Sequence, residues 1–160
     1  MNITYTNTIT ADEVNSIRAS VGLRQINPEQ VKAGLDGSTV ILVAYDRDKA
    51  FGMTSLIWDG GTVALIPNIL VLPEYQMQGI ETEMITRIFD FLRAKLKPGF
   101  GRQVDIEAWN NTEHFYDSLG FQVSTPQLRG VPMHICLTNQ IEMTDSMFWQ
   151  IQFSSKETTK

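Results

Sequence analysis

Residues 69–80 read Ile69-Leu-Val-Leu-Pro-Glu-Tyr-Gln-Met-Gln-Gly-Ile80, an apolar run followed by a short turn and the start of a helical pattern. The apolar positions of that pattern, spaced for one face of a long helix, are Met84, Ile85, Ile88, Phe89, Leu92 and Leu96. A helix that follows a strand through a tight turn directs its first N–H groups and the positive end of its dipole toward one point. Gly79 lets an anion approach the main chain there. The stretch is therefore compatible with an anion site at the start of the longest helix, although by itself a single glycine at a helix start is more often part of an ordinary loop.

Three β-branched runs precede this helix, at residues 39–45, 51–58 and 62–72, and short polar turns separate them. Strands joined by such turns form an antiparallel meander. A short strand at residues 3–6 and two helices come first. The capping box Thr10-Ala-Asp-Glu13 begins one helix, and Pro28 lies in the first turn of the other.

Further strands are predicted after the long helix, at residues 103–109 and 133–137, with a helix at about residues 112–119 between them that Gly120 caps. This order predicts a mixed α/β (α+β) fold rather than a parallel doubly wound one. The sheet is expected to be mostly antiparallel, with about six to seven strands flanked by about four helices.

Composition and charge exclude several classes of function. The formal net charge of −5 argues against binding of nucleic acid through its phosphates. Apolar runs reach six residues at most, so no membrane span or secretory leader is expected. The single cysteine, Cys136, permits no internal disulfide and predicts a cytoplasmic location. His114, His134 and Cys136 do not form a zinc motif, so no metal is expected.

A second block, Asn111-Thr-Glu-His-Phe-Tyr-Asp-Ser-Leu-Gly-Phe121, follows one strand after the long helix. Together with Gln76-Met-Gln-Gly79-Ile-Glu81 it resembles the GCN5-related N-acetyltransferase (GNAT) superfamily. The acetyl-CoA loop of that family reads Q/R-x-x-G-x-G/A after the fourth strand, and a later helix often ends F-Y-x-x-x-G-F. The resemblance implies a GNAT-like acetyltransferase domain at residues 1–137. Residues 138–160 would be an extension that packs on the domain or at an interface, such as that of a homodimer, with its last residues frayed.

The resemblance implies acetyl-CoA as the acetyl donor. The fourth and fifth strands of such enzymes splay apart, which leaves backbone groups of the fourth strand for the pantetheine arm, here those of Ile69, Leu70 and Val71. The diphosphate would lie on the N–H groups of the loop, and an asparagine would bond the donor near the opening. The loop residues are Gln76, Met77, Gln78, Gly79, Ile80, Glu81 and Thr82. The asparagine is Asn110 or Asn111.

The resemblance also implies direct attack by a primary amine, from a small molecule or an exposed amino group such as that of a peptide, within a ternary complex. A main-chain N–H near Val71 would stabilise the developing oxyanion. Tyr116 would act as general acid toward the leaving thiolate, since a phenol with a pKa of about 10 stays protonated at neutral pH. Without the resemblance, a tyrosine beside Phe115 on a short amphipathic helix is typical of a core residue.

Other roles stay open in the sequence. Glu107 is the candidate general base, although it could equally be a solvated carboxylate while the amine loses its proton through water. Residues 23–27 and 124–132 are expected on the acceptor side, and they select no substrate.

Glu81 replaces the small last residue of the loop pattern, and a carboxylate there would repel a diphosphate. The alternative is therefore a catalytically silent GNAT-fold module that binds an acyl-CoA or a protein partner.

Overall fold

A computed structural model describes residues 2–99, 101, 103–109 and 111–123. Its strands are β1 (Ile3–Thr6), β2 (Val40–Asp46), β3 (Lys49–Trp58), β4 (Ala64–Ile66), β5 (Ile69–Val71) and β6 (Val104–Ile106). Its helices are α1 (Ala11–Ser20), α2 (Pro28–Asp36), α3 (Ile80–Lys95) and α4 (Glu113–Ser118), and a 3-10 turn covers Pro73–Tyr75. The predicted strand at 133–137 and the extension at 138–160 lie outside the described residues.

The sheet has the order β1-β2-β3-β4-β6, with β5 paired to β3 beside β4. Every pairing is antiparallel except that of β4 with β6, which is parallel. The predicted antiparallel meander and the mixed, mostly antiparallel sheet are therefore confirmed. Among the residues that the structure describes, the element count is six strands and four helices.

The prediction of one strand over residues 62–72 is wrong, because the run is divided into β4 and β5 at Pro67 and Asn68. Proline has no N–H to donate to a sheet ladder. The buried Thr54 of β3 bonds the interruption instead, since its Oγ1 donates to the carbonyl oxygen of Asn68 at 2.8 Å. The break ends the pairing of β4 and lets β5 begin as a separate segment.

Helix α3 packs along the sheet through its apolar face. Its first turns contribute Ile80 and Met84 to a cluster with Ala44, Phe51, Val71 and Leu72. Its later turns contribute Ile88 and Leu92 to a cluster with Leu56, Ala64 and Ile66. Because both clusters include sheet residues, the N-terminus of α3 is fixed next to the end of β5.

The caps of α1 and α2 follow the sequence signals. Thr10 and Glu13 form the predicted capping box, with the Glu13 N–H donating to Thr10 Oγ1 at 3.2 Å and the Thr10 N–H donating to Glu13 Oε2 at 2.8 Å. Asn27 caps α2, and Pro28 occupies its first turn. The buried Asn15 side chain joins the two helices: it donates to the Ile26 carbonyl at 2.7 Å and accepts from the Ile26 N–H at 2.8 Å.

Residue contacts divide the chain into two compact units. The first consists of Met1–Val21 and Gln25–Glu107, and it contains the sheet with α1, α2 and α3. The second consists of Gly22–Arg24 and the chain after Glu107, of which the described part contains α4. Within the described ranges, no helix is both long and apolar enough to cross a membrane.

Candidate active site

Strand β5 has one edge that no described strand pairs. Its partner β3 lies on the other side, with Val71 opposite Gly52 and Leu70 opposite Met53, and the Leu72 N–H donates to the Phe51 carbonyl at 2.8 Å. Backbone groups of successive residues in an antiparallel pair point alternately toward and away from the partner strand. The N–H and C=O groups of Ile69 and Val71 therefore point to the open edge, whereas those of Leu70 point to β3.

The turn after β5 is held both by side chains and by backbone bonds of its 3-10 turn, where the Tyr75 N–H donates to the Leu72 carbonyl at 2.9 Å. The Tyr75 ring stacks on Phe51 with centroids 4.1 Å apart. The Gln76 amide donates from Nε2 to the Val71 carbonyl at 2.8 Å, and the Gln78 amide donates to the Glu74 carbonyl at 3.0 Å. These contacts fix the direction in which the chain leaves β5 and enters α3.

The first turn of α3 contains backbone donors that no side chain caps. Gly79 precedes the helix with φ 81°, a left-handed conformation that glycine adopts without steric cost. The Gly79 carbonyl accepts from the Glu83 N–H at 3.0 Å, which is the first hydrogen bond of the helix. The N–H groups between these two residues therefore have no acceptor within the helix. Gly79 offers no side chain to cap them. These N–H groups are those of Ile80, Glu81 and Thr82, at the predicted anion site.

Glu81 lies on the sheet-facing side of this first turn. It precedes Ile85 by four residues and Ile88 by seven, and both of these are buried. Its side chain is partly buried, whereas Glu83 is exposed and accepts a bond from Arg87 Nε at 2.8 Å. Glu81 therefore lies on the face of α3 that packs on the sheet, and its charge contributes to raising the pKa of the Tyr5 phenol of β1.

Arg87 is engaged away from the loop, because its guanidinium lies over the Tyr5 ring at 4.3 Å as well as against Glu83. Burial, and then the charge of Glu83, raises the pKa of the Tyr5 phenol, while Arg87 opposes the shift. The arginine therefore belongs to a cluster with β1 rather than to the exposed N–H groups at the start of the helix.

Tyr116 lies in α4, in the second unit. It is buried among aromatic rings, with Phe115 at 5.0 Å and Phe121 at 5.9 Å between centroids, both edge to face. The Phe121 N–H donates to the Tyr116 carbonyl at 3.1 Å, and Gly120 ends the helix with φ 90°, as predicted. Asn111 precedes α4, exposed and with φ 68°, while Asn110 lies outside the described residues.

The candidate base lies at the end of β6. That strand is shorter than predicted and stops at Ile106, so Glu107 follows it and is exposed. Asp105 lies two residues earlier in β6 and pairs with Leu65 of β4. Its carboxylate accepts from Gln103 Nε2 at 3.4 Å. Glu107 is open to solvent.

A polar groove of about 640 Å³ lies beside α1 in the first unit. Gln25 and Ile26, both expected on the acceptor side, line it together with Asp12 and Ser16 of α1. In the described part of the chain, no three His, Cys, Asp or Glu side chains converge as a metal site.

Two structural roles in this region were missed by the sequence analysis. The stacking of Tyr75 on Phe51 and the bond from Gln76 to Val71 both connect the turn to the strands beside it. An aromatic residue placed two positions after a turn proline was a signal for the first. The second could not be read from the sequence, because a glutamine amide has no fixed partner until the chain folds back.

Comparisons with known proteins agree with this fold. A model of the acetyltransferase (GNAT) domain matches residues 37–123, a little over half of the chain. A probable acetyltransferase from meticillin-resistant Staphylococcus aureus is 25% identical, with a TM-score of 0.72 over 83% of this chain and 99% of its own. A GNAT-family acetyltransferase from Streptococcus pneumoniae is 24% identical, with a TM-score of 0.63 over 87% of this chain and 98% of its own.

An Arabidopsis thaliana protein in complex with the bisubstrate analogue CoA-Ac-MVNAL shares the fold at 14% identity, with a TM-score of 0.61 over 78% of this chain and 86% of its own. No curated protein sequence matches the chain. The family match spans the meander, the loop before α3 and the helix that carries Tyr116. This chain belongs to the GNAT family of acetyltransferases.

Proposed function

We propose that the protein is an acetyl-CoA-dependent N-acetyltransferase that transfers an acetyl group to a primary amine. The observation that carries this proposal is the open edge of β5, which a short turn connects to the first-turn N–H groups of α3. One surface thus offers alternating backbone donors and acceptors for an amide-containing arm, and next to it a set of N–H groups for a diphosphate.

The residues that would hold the donor follow from that surface. Ile69 presents its N–H and C=O groups to the open edge, and Val71 presents its N–H, so that a pantetheine amide can bond there as a short strand would. The Val71 carbonyl already accepts from Gln76 Nε2. The loop from Met77 to Thr82 presents N–H groups to the diphosphate. Acetyl-CoA, as donor substrate, supplies an acetyl group activated as a thioester.

The chemistry needs a proton donor, an oxyanion stabiliser and a route for the amine proton. An N–H of β5 near Val71 stabilises negative charge on the thioester oxygen. The amine nitrogen forms a bond to the acetyl carbon, the carbon–sulfur bond breaks, and Tyr116 protonates the departing sulfur. Glu107, or water beside it, takes the proton that the amine loses. Asn111 is proposed to bond the donor near its opening.

The acceptor is proposed to be a small amine or an exposed amino group of a peptide. The Arabidopsis thaliana neighbour binds an analogue that joins CoA to a peptide, which supports an acceptor of this class. The polar groove beside α1 supports a polar acceptor, since Asp12 can pair with a cationic group. We propose that residues 1–137 form the acetyltransferase domain and that residues 138–160 extend it.

A second candidate, a catalytically silent module that binds an acyl-CoA or a protein partner, is favoured by one observation. Glu81 faces the sheet in the first turn of α3, where family members have a small residue. A carboxylate there would weaken the hold on the diphosphate, although it would leave the open edge of β5 unchanged.

Thiol release from acetyl-CoA across a panel of amines separates the two candidates. We expect turnover with at least one amine, and we expect Tyr116→Phe to lower kcat by about 100-fold, the low end of general acid catalysis. The affinity for acetyl-CoA, measured by calorimetry, should stay unchanged in this variant. Tyr75→Phe is the matched control, because it removes a phenol hydroxyl while keeping the stacked ring. Full activity in Tyr116→Phe would exclude the assigned role, and no saturable binding of acetyl-CoA at millimolar concentration would exclude the function.

A further inference from the structure

The segment that surrounds the start of α3 is acidic. Residues 72–86 contain Glu74, Glu81 and Glu83 but no lysine or arginine. Two cations of the described chain reach this segment, and each is paired with one of its carboxylates. Lys49 bonds Glu74 at 2.9 Å, and Arg87 bonds Glu83 at 2.8 Å. Among the described residues, no cation pairs with Glu81.

The position of Glu81 directs its charge to the sheet side of the helix start. The residues one and two turns later on the same face, Ile85 and Ile88, are buried against the sheet. The preceding residue, Ile80, packs in one cluster with Val71 and Leu72 at the end of β5. A partly buried carboxylate at this point is screened less by solvent than one on the outer face. The charge of Glu81 reaches the Tyr5 phenol of β1. The N–H of Glu81 itself is one of the groups that would bind a diphosphate, so the carboxylate also lies close to that site.

The open edge of β5 is different in character. Its polar groups are the neutral backbone donors and acceptors of Ile69 and Val71, and the side chain that bonds there is the neutral amide of Gln76. A neutral amide arm meets complementary hydrogen bonds along this edge and no charge. The two parts of a CoA thioester thus face unequal surfaces: the uncharged arm faces a favourable edge, and the anionic end faces a carboxylate.

We propose that Glu81 is a specificity-determining residue that distinguishes thioester donors by the charge they carry beyond the pantetheine arm. It weakens the hold on the diphosphate, so that recognition of the donor comes mainly from the uncharged arm along β5. Uncharged pantetheine thioesters are then donors of similar quality to CoA thioesters. This inference rests on the proposed function and deepens it.

Binding measurements test the inference without an acceptor. Acetyl-CoA and acetyl-pantetheine are each titrated into three proteins, the full chain, Glu81→Gln and Glu83→Gln. Calorimetry measures the affinity, and the weaker ligand is measured by competition with the stronger one. We expect Glu81→Gln to tighten binding of acetyl-CoA by about five- to tenfold, the scale of Coulomb repulsion between charges about 4 Å apart at the dielectric constant of water. Binding of acetyl-pantetheine should change by less than about twofold. Glu83→Gln, which removes an equal charge from the exposed face, should leave both affinities within about twofold.

Salt concentration gives an independent readout. The ratio of acetyl-CoA affinities between Glu81→Gln and the unmodified chain should fall toward one as ionic strength rises to about 1 M, where the Debye length is about 3 Å. Glu81→Ala serves as a second variant, with a thermal melt to establish folding. Equal gains for both donors, no gain for acetyl-CoA, or a gain that salt does not reduce would overturn the inference while leaving the proposed function intact. Failure of both donors to bind any of the proteins would overturn both.

Discussion

At the scale of the residue, the turn between β5 and α3 contains an unfavourable backbone conformation at Met77. Its φ is 59°, in the left-handed region that costs an L-residue roughly 1–2 kcal/mol. The side chain is 99% exposed, so packing does not compensate for this cost. The conformation is maintained by the neighbours, since the amides of Gln76 and Gln78 bond carbonyl groups earlier in the chain. The strain is located at the loop that would hold the diphosphate, which is where function tolerates it.

Substitution of Met77 tests this account of the turn. Met77→Gly should leave the free energy of unfolding unchanged or raise it by up to about 1 kcal/mol, because relief of the left-handed strain exceeds or balances the entropy cost of glycine. Met77→Val should lower it by about 1 kcal/mol, since a β-branched residue fits positive φ poorly. Urea unfolding of the three proteins measures both changes. A marked loss in Met77→Gly would contradict the account.

At the scale of the element, α3 was predictable and the sheet beside it was only partly so. The apolar spacing of Met84, Ile88 and Leu92 identified the helix, and Gly79 marked its start, because both signals are local in the chain. The division of residues 62–72 also had a local signal in Pro67. The parallel pairing of β4 with β6 had none, because it joins segments separated by the whole of α3. The open edge of β5 was expected only through the family resemblance, for the same reason.

One side chain of α1 bonds the segment that leads into α2. Asn15 makes two hydrogen bonds to the backbone of Ile26, and Asn15→Ala would leave both backbone groups without this partner. We expect the free energy of unfolding to fall by about 1–3 kcal/mol. Ser16→Ala, at the exposed neighbouring position, should change it by less than about 0.5 kcal/mol. Chemical denaturation measures the difference, and equal effects of the two variants would contradict the assigned role of Asn15.

At the scale of the whole molecule, hydrogen bonds between ionisable groups connect the N-terminal helix to the sheet. The Tyr45 hydroxyl of β2 donates to Glu13 Oε1 at 2.9 Å, and Glu13 also completes the capping box of α1. Burial, and then the bond to Glu13, raises the pKa of Tyr45 to about 12. Burial tends to raise the pKa of Glu13 as well. The hydrogen bonds from Thr10 and Tyr45 outweigh this effect and hold the pKa of the Glu13 carboxyl below its ordinary value.

These shifts predict how stability depends on pH. Tyr45 is stabilised in its protonated form, so its contribution is complete below the ordinary phenol pKa of about 10 and is lost as pH rises toward 12. The pKa of Tyr5 is also raised, so its contribution to stability is likewise lost as the pH rises. Glu13 is stabilised in its ionised form, so its contribution is lost as pH falls through its lowered pKa. Melting temperatures of the unmodified chain and Tyr45→Phe across this alkaline range provide the check. The variant should lose less stability between pH 10 and 12, and parallel curves would contradict the role of Tyr45.

The central claim is that backbone groups of β5 and of the start of α3 bind acetyl-CoA. A titration of the isotope-labelled protein with acetyl-CoA, followed through its backbone amide resonances, tests this most directly. We predict saturable shifts concentrated at Ile69, Val71 and residues 77–82, with small changes at Leu70, whose N–H points to β3. Absence of saturable shifts at millimolar ligand, or shifts confined to other parts of the molecule, would contradict the account.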